Sequence, residues 1–351
     1  MDFFILLPAV LLSCLGLLMI FSISFEDDTS FFIRQSSYLI FSLVLYLIII
    51  NIKFKTMLQI SYLFYFFLIG FLFLTFLIGI EVRGSTRWVD LGFVTIQGSE
   101  LAKPVITLAL AYLLAYKAPV GLKIFLISAA VVAVPALFIL TQPDLSNAVI
   151  LAATWFLMVF IAGAGLHYLI ALIVLGLVSL PIIWNLVLKD YQRLRVITFF
   201  NPNLDPQGAS YNLVQALIAL GSGQFFGRGL GRGTQSHLDF LPEGRTDFIF
   251  AATGEELGFV GVGLIIVIFS LLIFRILYLA TKSTQIETKL FAYGVASVLS
   301  IQFFMNAAMN MGIFPISGVT LPFVSFGGSS LASLFILLSL VNSATKSSID
   351  V

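Results

Sequence analysis

The sequence predicts an all-α integral membrane protein with about ten transmembrane helices and one long extracytoplasmic loop, built as a single polytopic domain over residues 1–351. Three observations carry this. Hydrophobic residues make up 60% of the chain and charged residues only 10%, against about 25% charged in soluble domains. Apolar runs long enough to cross about 30 Å of hydrocarbon recur along most of the chain. One stretch, 189–247, is polar and long enough to stand outside the bilayer.

The apolar runs cover 3–23, 32–52, 58–80, 100–115, 121–141, 147–163, 166–188, 248–279, 290–310 and 327–345. The first lacks a positively charged leader and a clear small-residue cleavage site, so it reads as an uncleaved span. The fourth is the weakest, because Glu100 and Lys103 stand at its start and Pro104 interrupts its first backbone bonds. An even number of spans puts both termini on one side. With that side cytoplasmic, Lys53, Lys55, Lys117, Lys123, Arg275, Lys282, Lys289 and Lys346 lie inside and outnumber Arg34, Arg83 and Arg87 of the short outer loops, as the positive-inside rule requires. The long loop then lies outside with Lys189, Arg193, Arg195, Arg228, Arg232 and Arg245. Long loops translocate despite their charge. Cations gathered there point either to an anionic ligand such as a phosphate or to anionic headgroups.

Several classes fall away. A net charge of +1 without a sustained basic run gives no argument for nucleic acid. Cys14, the only cysteine, excludes disulfides and multi-cysteine metal sites within one chain. His167 near an inner turn and His237 in the outer loop are on opposite sides and cannot share a zinc ion. Nothing marks a serine as a nucleophile for His237. The chain contains no internal repeat and no matched pair of broken helices, the signature of an inverted-repeat transporter.

What remains is acid-based chemistry. Asp247 lies where the long loop meets an apolar run, a place where a membrane protein can hold a carboxylate against a wet cleft; the plainer reading is that it caps the next helix. Asp144, after Gln142-Pro143, reads first as a cap for the sixth span. Ser99 suits an N-cap, and Glu100 and Lys103, three apart, project from one helix face. They form either a structural ion pair or the wall of a polar cavity, with Lys103 available to an anion. Arg34 and the Arg87-Trp88 pair suit a ligand mouth or the membrane interface. Residues 211–220 suit a short amphipathic helix at the membrane surface. The glycines from Gly221 to Gly233 form either a phosphate cradle or a connector, without a Walker A pattern. The proline- and glycine-rich break from Pro315 to Ser330 either lines a cavity or is an interfacial loop.

Together these stretches resemble the SEDS family, the RodA/FtsW-like shape, elongation, division and sporulation proteins, over nearly the whole chain. The resemblance is carried by Gln142-Pro143-Asp144-Leu145, Asp205-Pro206-Gln207-Gly208 with Tyr211 and Gln215, Leu241-Pro242-Glu243 with Thr246-Asp247-Phe248, Glu255-Glu256-Leu257-Gly258, and Leu321-Pro322 with Ser325 and Gly327-Gly328-Ser329. Two departures stand out: Gly244-Arg245 where the family often has a His before Thr-Asp-Phe, and Gly98 within Gln97-Gly98-Ser99-Glu100.

The resemblance implies a peptidoglycan glycosyltransferase that polymerises lipid II at the outer face of the bacterial cytoplasmic membrane. It places the catalytic aspartate at Asp247 and implies a class B penicillin-binding protein as partner. On that reading Arg34, Arg87, Glu100, Lys103, Asp144, Glu243, Arg245, Ser325 and Ser329 are candidate substrate-binding residues, and a divalent cation, Mg or Mn, assists at the pyrophosphate. Gly233-Thr234-Gln235-Ser236 leans toward the RodA branch and cell elongation rather than division. The alternatives are a flippase for lipid II or another polyprenyl-linked substrate, needing the anion site without the base, and a membrane scaffold needing neither.

Overall fold

A computed structural model describes residues 2–349 apart from 26–27, 83–84, 91, 93–94, 117, 202–203, 206–207, 209 and 239. Arg83, Lys117, Pro206 and Gln207 therefore lie outside the described residues.

In chain order the helices are α1 (Phe3–Ser24), α2 (Ser30–Ile49), α3 (Phe54–Gln59), α4 (Ser61–Ile78), α5 (Gly98–Tyr116), α6 (Leu122–Thr141), α7 (Leu145–Ile161), α8 (Leu166–Ile182), α9 (Asp190–Phe200), α10 (Tyr211–Ser222), α11 (Thr234–His237), α12 (Ile249–Lys282), α13 (Ile286–Asn310) and α14 (Gly328–Ile349). Among the described residues, nine helices are long and apolar enough to cross a membrane. The tenth expected span is α7, 17 residues and so about 25 Å long. The bundle matches the expected spans, with one local change: the third is preceded by α3 and begins after Ile60, whose φ of −96° and ψ of 8° break the helix.

Burial ranks the helices. The membrane window of α14 is 83% buried and that of α8 only 6%, so α14 is central and α8 stands at the periphery facing lipid. Helix α5 packs against α4, α6, α7, α13 and α14. At one end of the bundle the Asp2 carboxylate caps α1 by accepting from the Phe4 amide at 2.9 Å, and pairs with Arg275 at 2.5 Å. The Asp2 amide donates to Asn342 Oδ1 at 2.8 Å. The start of the chain is thereby fastened to α12 and α14.

The second outer connection is folded rather than irregular. Strands β1 (Ile80–Val82), β2 (Ser85–Asp90) and β3 (Thr95–Gln97) form an antiparallel sheet in that order, with Trp88 opposite both Ile80 and Gln97. The all-α expectation overlooked it because the strands are too short to show a period of two. Strand β3 runs directly into α5, which fixes the register of Gln97, Ser99 and Glu100.

Helix α12 is broken near its start, where Gly258 has φ 66° and ψ −162°. Carbonyls and amides left without helical partners there are taken up by the preceding loop. The amides of Arg228 and Gly229 donate to the oxygens of Glu255 and Glu256 at 2.9 and 3.0 Å, and the Phe259 amide donates to Gln224 O at 2.9 Å. This needs close backbone approach: a Cβ on Gly227 would lie 2.1 Å from Glu256 O. Gly223 and Gly227 thus serve a tightly packed helix junction.

Candidate active site

Asp247 sits at a backbone crossing. Glu243 adopts a left-handed φ of 59°, a conformation that costs a non-glycine residue about 1–3 kcal/mol and tightens the turn. The amides of Thr246 and Phe248 both donate to Glu243 O, at 3.0 and 3.1 Å, and Thr246 Oγ1 donates to Glu243 Oε2 at 2.9 Å. Two asparagines one turn apart on α13 hold the next peptide: Asn306 and Asn310 donate from Nδ2 to Asp247 O at 2.9 and 3.0 Å. From the C-terminal break, Ser325 Oγ donates to Thr246 O at 2.6 Å and the Phe326 amide donates to Arg245 O at 2.9 Å. Asp247 is not the cap of α12. That position is Phe248, with no side-chain cap.

The carboxylate opens into a cavity of about 920 Å³ lined by Arg87, Glu100, Tyr191, Arg195, Glu243 and Asp247 among others. Its remaining wall includes Pro315, Ile316, Ser317 and Gly318, so the proline- and glycine-rich break lines a cavity. Glycine is useful at 318, where φ is 66° and a Cβ would lie 3.5 Å from Asp247 Oδ2. Arg87 is held by donating from Nε to Gln142 O at 3.1 Å and from Nη2 to Pro143 O.

Of the candidate residues, Arg87, Glu100, Glu243 and Asp247 are brought together on this cavity. The others act around it. Lys103 is fully buried, donating from Nζ to Glu100 Oε1 at 2.8 Å and to Gln302 Oε1 at 2.9 Å; it does not present itself to an anion, because the low-dielectric core holds it to Glu100. Asp144 is a buried cap, accepting from the Asn147 amide at 3.3 Å and from Ser99 Oγ at 2.8 Å. Ser99 thus binds Asp144 from within α5 rather than capping that helix. Ser329 Oγ donates to Thr95 O at 3.1 Å and accepts from the Gln97 amide at 3.2 Å, joining β3 to the start of α14. Arg245 donates to Ile23 O at 3.3 Å and lies 4.7 Å from the centre of the Phe31 ring. Arg34 is exposed at the start of α2. Beside it, hydrogen bonds from Ser30 hold the Asp28 carboxyl below the usual range, with Arg34 and Arg245 adding to the effect.

One charged cavity residue was not singled out as a site residue by the sequence. Arg195 was one of several loop cations, and its facing becomes clear only when 190–200 is read as a helix: Tyr191, Gln192, Arg195 and Val196, one face of α9, all line the cavity. Burial pushes its guanidinium below the usual arginine range, while Tyr191 and Asp247 draw it up and Arg87 opposes them.

For a divalent cation the cavity offers single carboxylates rather than a ready-made set of ligands. No group of three or more His, Cys, Asp or Glu able to hold a metal occurs among the described residues. The described side chains therefore form no preassembled metal centre.

Fold and site define a multi-pass membrane protein with a carboxylate lining a largely apolar cavity that also carries two arginines. The family model covering FtsW, RodA and SpoVE, described as cell cycle protein, matches residues 2–349. The peptidoglycan glycosyltransferase MrdB of Escherichia coli K12 is 39% identical over 253 residues, 72% of this chain and 68% of that protein. The probable peptidoglycan glycosyltransferase FtsW of Geobacter sulfurreducens is 36% identical over 363 residues, covering 98% and 95%. Among solved structures, a chain from a study of polymerization and crosslinking by a peptidoglycan synthase complex superposes with a TM-score of 0.85 at 28% identity, covering 99% and 98%. The rod shape determining protein RodA of Thermus thermophilus gives 0.75 at 26% identity, covering 99% and 97%. The chain belongs to the FtsW/RodA/SpoVE family, the SEDS proteins.

Proposed function

We propose that this SEDS protein is a peptidoglycan glycosyltransferase that joins lipid II units into glycan strands, with Asp247 as general base. The observation that carries the reading is Asp247 itself: a carboxylate facing a cavity of about 920 Å³, backed by fixed peptide bonds and flanked by arginines. The sugar 4-hydroxyl of one lipid II attacks the anomeric carbon of the growing glycan. The new oxygen–carbon bond forms as the bond to the phosphate oxygen breaks, the hydroxyl proton passes to Asp247, and polyprenyl pyrophosphate leaves with the electron pair. Attack from the opposite face inverts the anomeric centre. General-base help of this kind contributes about 10² to 10⁴ in rate.

Arg87 supplies positive charge toward the leaving pyrophosphate, and Glu100, held by Lys103, shapes the wall facing it. Among the lining residues, Arg87 and Arg195 are balanced by Glu243 and Asp247 once Glu100 is set against Lys103, so a bound diphosphate adds uncompensated negative charge. A divalent cation arriving with the diphosphate would offset it, since magnesium is commonly held by one or two carboxylates plus substrate phosphates.

The chain acts at the outer face of the bacterial cytoplasmic membrane, with both termini cytoplasmic and a class B penicillin-binding protein as partner, and serves elongation rather than division. The structural likeness to a chain of a peptidoglycan synthase complex supports the partner.

The test is lipid II polymerisation in detergent by the full-length protein, with and without a class B partner, for wild type and Asp247→Asn. Glycan chains from wild type and none from the folded variant are expected. Equal polymer from both would remove Asp247 from the chemistry, and none from either, with partner and magnesium present, would remove the enzyme.

A further inference from the structure

We propose that Arg195 is a binding residue for the diphosphate of the polyprenyl-linked donor, delivered over the cavity by one face of α9. This rests on the transferase reading and names a residue of its donor site. Two cations occur among the residues lining the cavity, Arg87 and Arg195. Arg87 is engaged with two carbonyls of the turn before Asp144, which fixes its place but occupies Nε and Nη2. Arg195 makes a longer bond, from Nη1 to Ile316 O at 3.4 Å, and its guanidinium lies 5.6 Å from the Tyr191 ring centre one turn earlier on the same helix.

A planar guanidinium steadied at one edge and over a ring retains its fork for a phosphate group, and arginine is the side chain whose geometry matches paired phosphate oxygens. Its position is also suited to the charge that must be met. Arg195 interacts electrostatically with both Asp247 and Arg87, so it shares one region of the cavity with the base and the other cation. The other cations of the long loop do not line it: Arg228 Nη1 donates to Thr234 Oγ1 at 2.9 Å, and Arg193 faces Asp190 at 3.5 Å. The residues before α9 form a π-helical turn, Ile183–Val187, at the end of the lipid-facing α8. The arginine therefore sits on the helix that directly follows the lipid-facing α8.

The test is direct binding of the purified full-length protein to polyprenyl pyrophosphate and to polyprenyl monophosphate, for wild type, Arg195→Lys and Arg195→Gln, with lipid II polymerisation measured in parallel. Wild type should prefer the diphosphate. Arg195→Gln should lose that preference by about tenfold or more while binding the monophosphate nearly as before, and Arg195→Lys should recover part of it. A merely structural arginine would weaken both ligands alike. Unchanged preference in folded Arg195→Gln, or no preference in wild type, overturns the assignment. Diphosphate preference lost in the variant of a chain that never polymerises would keep Arg195 as a diphosphate ligand and sink the transferase reading instead.

Discussion

Asn306 donates from Nδ2 to the main-chain oxygen of Asp247 at 2.9 Å and to Val319 O at 2.6 Å, so one amide on α13 joins the turn that carries Asp247 to the 315–320 segment beside the cavity. Neither bond touches a carboxylate. Asn306→Ala should therefore leave the acid in place but loosen its aim. Since misplacement by about 1 Å can cost about 10²-fold, polymerisation at saturating lipid II is expected to fall about 10- to 100-fold with KM little changed. Combining it with Asn310→Ala should cost more than the two single changes predict, because both amides serve the same oxygen.

The ion pair beneath the cavity gives a stability prediction. Lys103 is fully buried and Glu100 nearly so. Removing one partner of such a pair costs about 3–5 kcal/mol, whereas replacing both with groups of similar volume is often neutral. Lys103→Met should lower the thermal midpoint in detergent sharply, and Glu100→Gln with Lys103→Met should recover much of it. A single variant as stable as wild type would show that the pair does not support the fold.

At the α12 break, two glycines in similar left-handed conformations should respond differently to alanine. Gly227 has φ 80° and no room for a Cβ beside Glu256 O, while Gly231 has φ 72° with nothing within 4 Å. Gly231→Ala should cost about 1–2 kcal/mol of backbone strain. Gly227→Ala adds overpacking, typically about 1–3 kcal/mol more, and should yield less folded protein. Thermal denaturation of the two variants side by side checks the order.

The proposal that a divalent cation arrives with the diphosphate, rather than in a cluster of three donors among the described residues, gives a metal prediction. Chelation should abolish polymerisation, with activity restored by magnesium or manganese. The same ions should not raise the thermal midpoint of substrate-free protein, because on this proposal they would be held only together with the diphosphate. Strong metal stabilisation without substrate would require a protein-held site instead.

The spans, the long loop and the cap at Asp144 were legible because hydropathy and helix-start chemistry are local properties. The other assignments depended on direction. Glu100 and Lys103 share a helix face, yet one lines the cavity and the other is buried under it, a difference set by Gln302 on α13. Arg195 resembled its neighbouring cations until α9 gave it a face. Asp247 could equally have been a cap, and only the placement of Phe248 as N-cap separated the two readings.

The break at Gly258 has a mechanical meaning. Beyond it α12 continues over 259–282, 24 residues and about 36 Å, longer than a hydrocarbon layer of about 30 Å. Spans adapt to bilayers of different thickness by tilting. The 224–229 loop bonds to carbonyls before the break and to amides after it, so the inclination of the inner part and the place of the short leading part beside Asp247 are set by one junction.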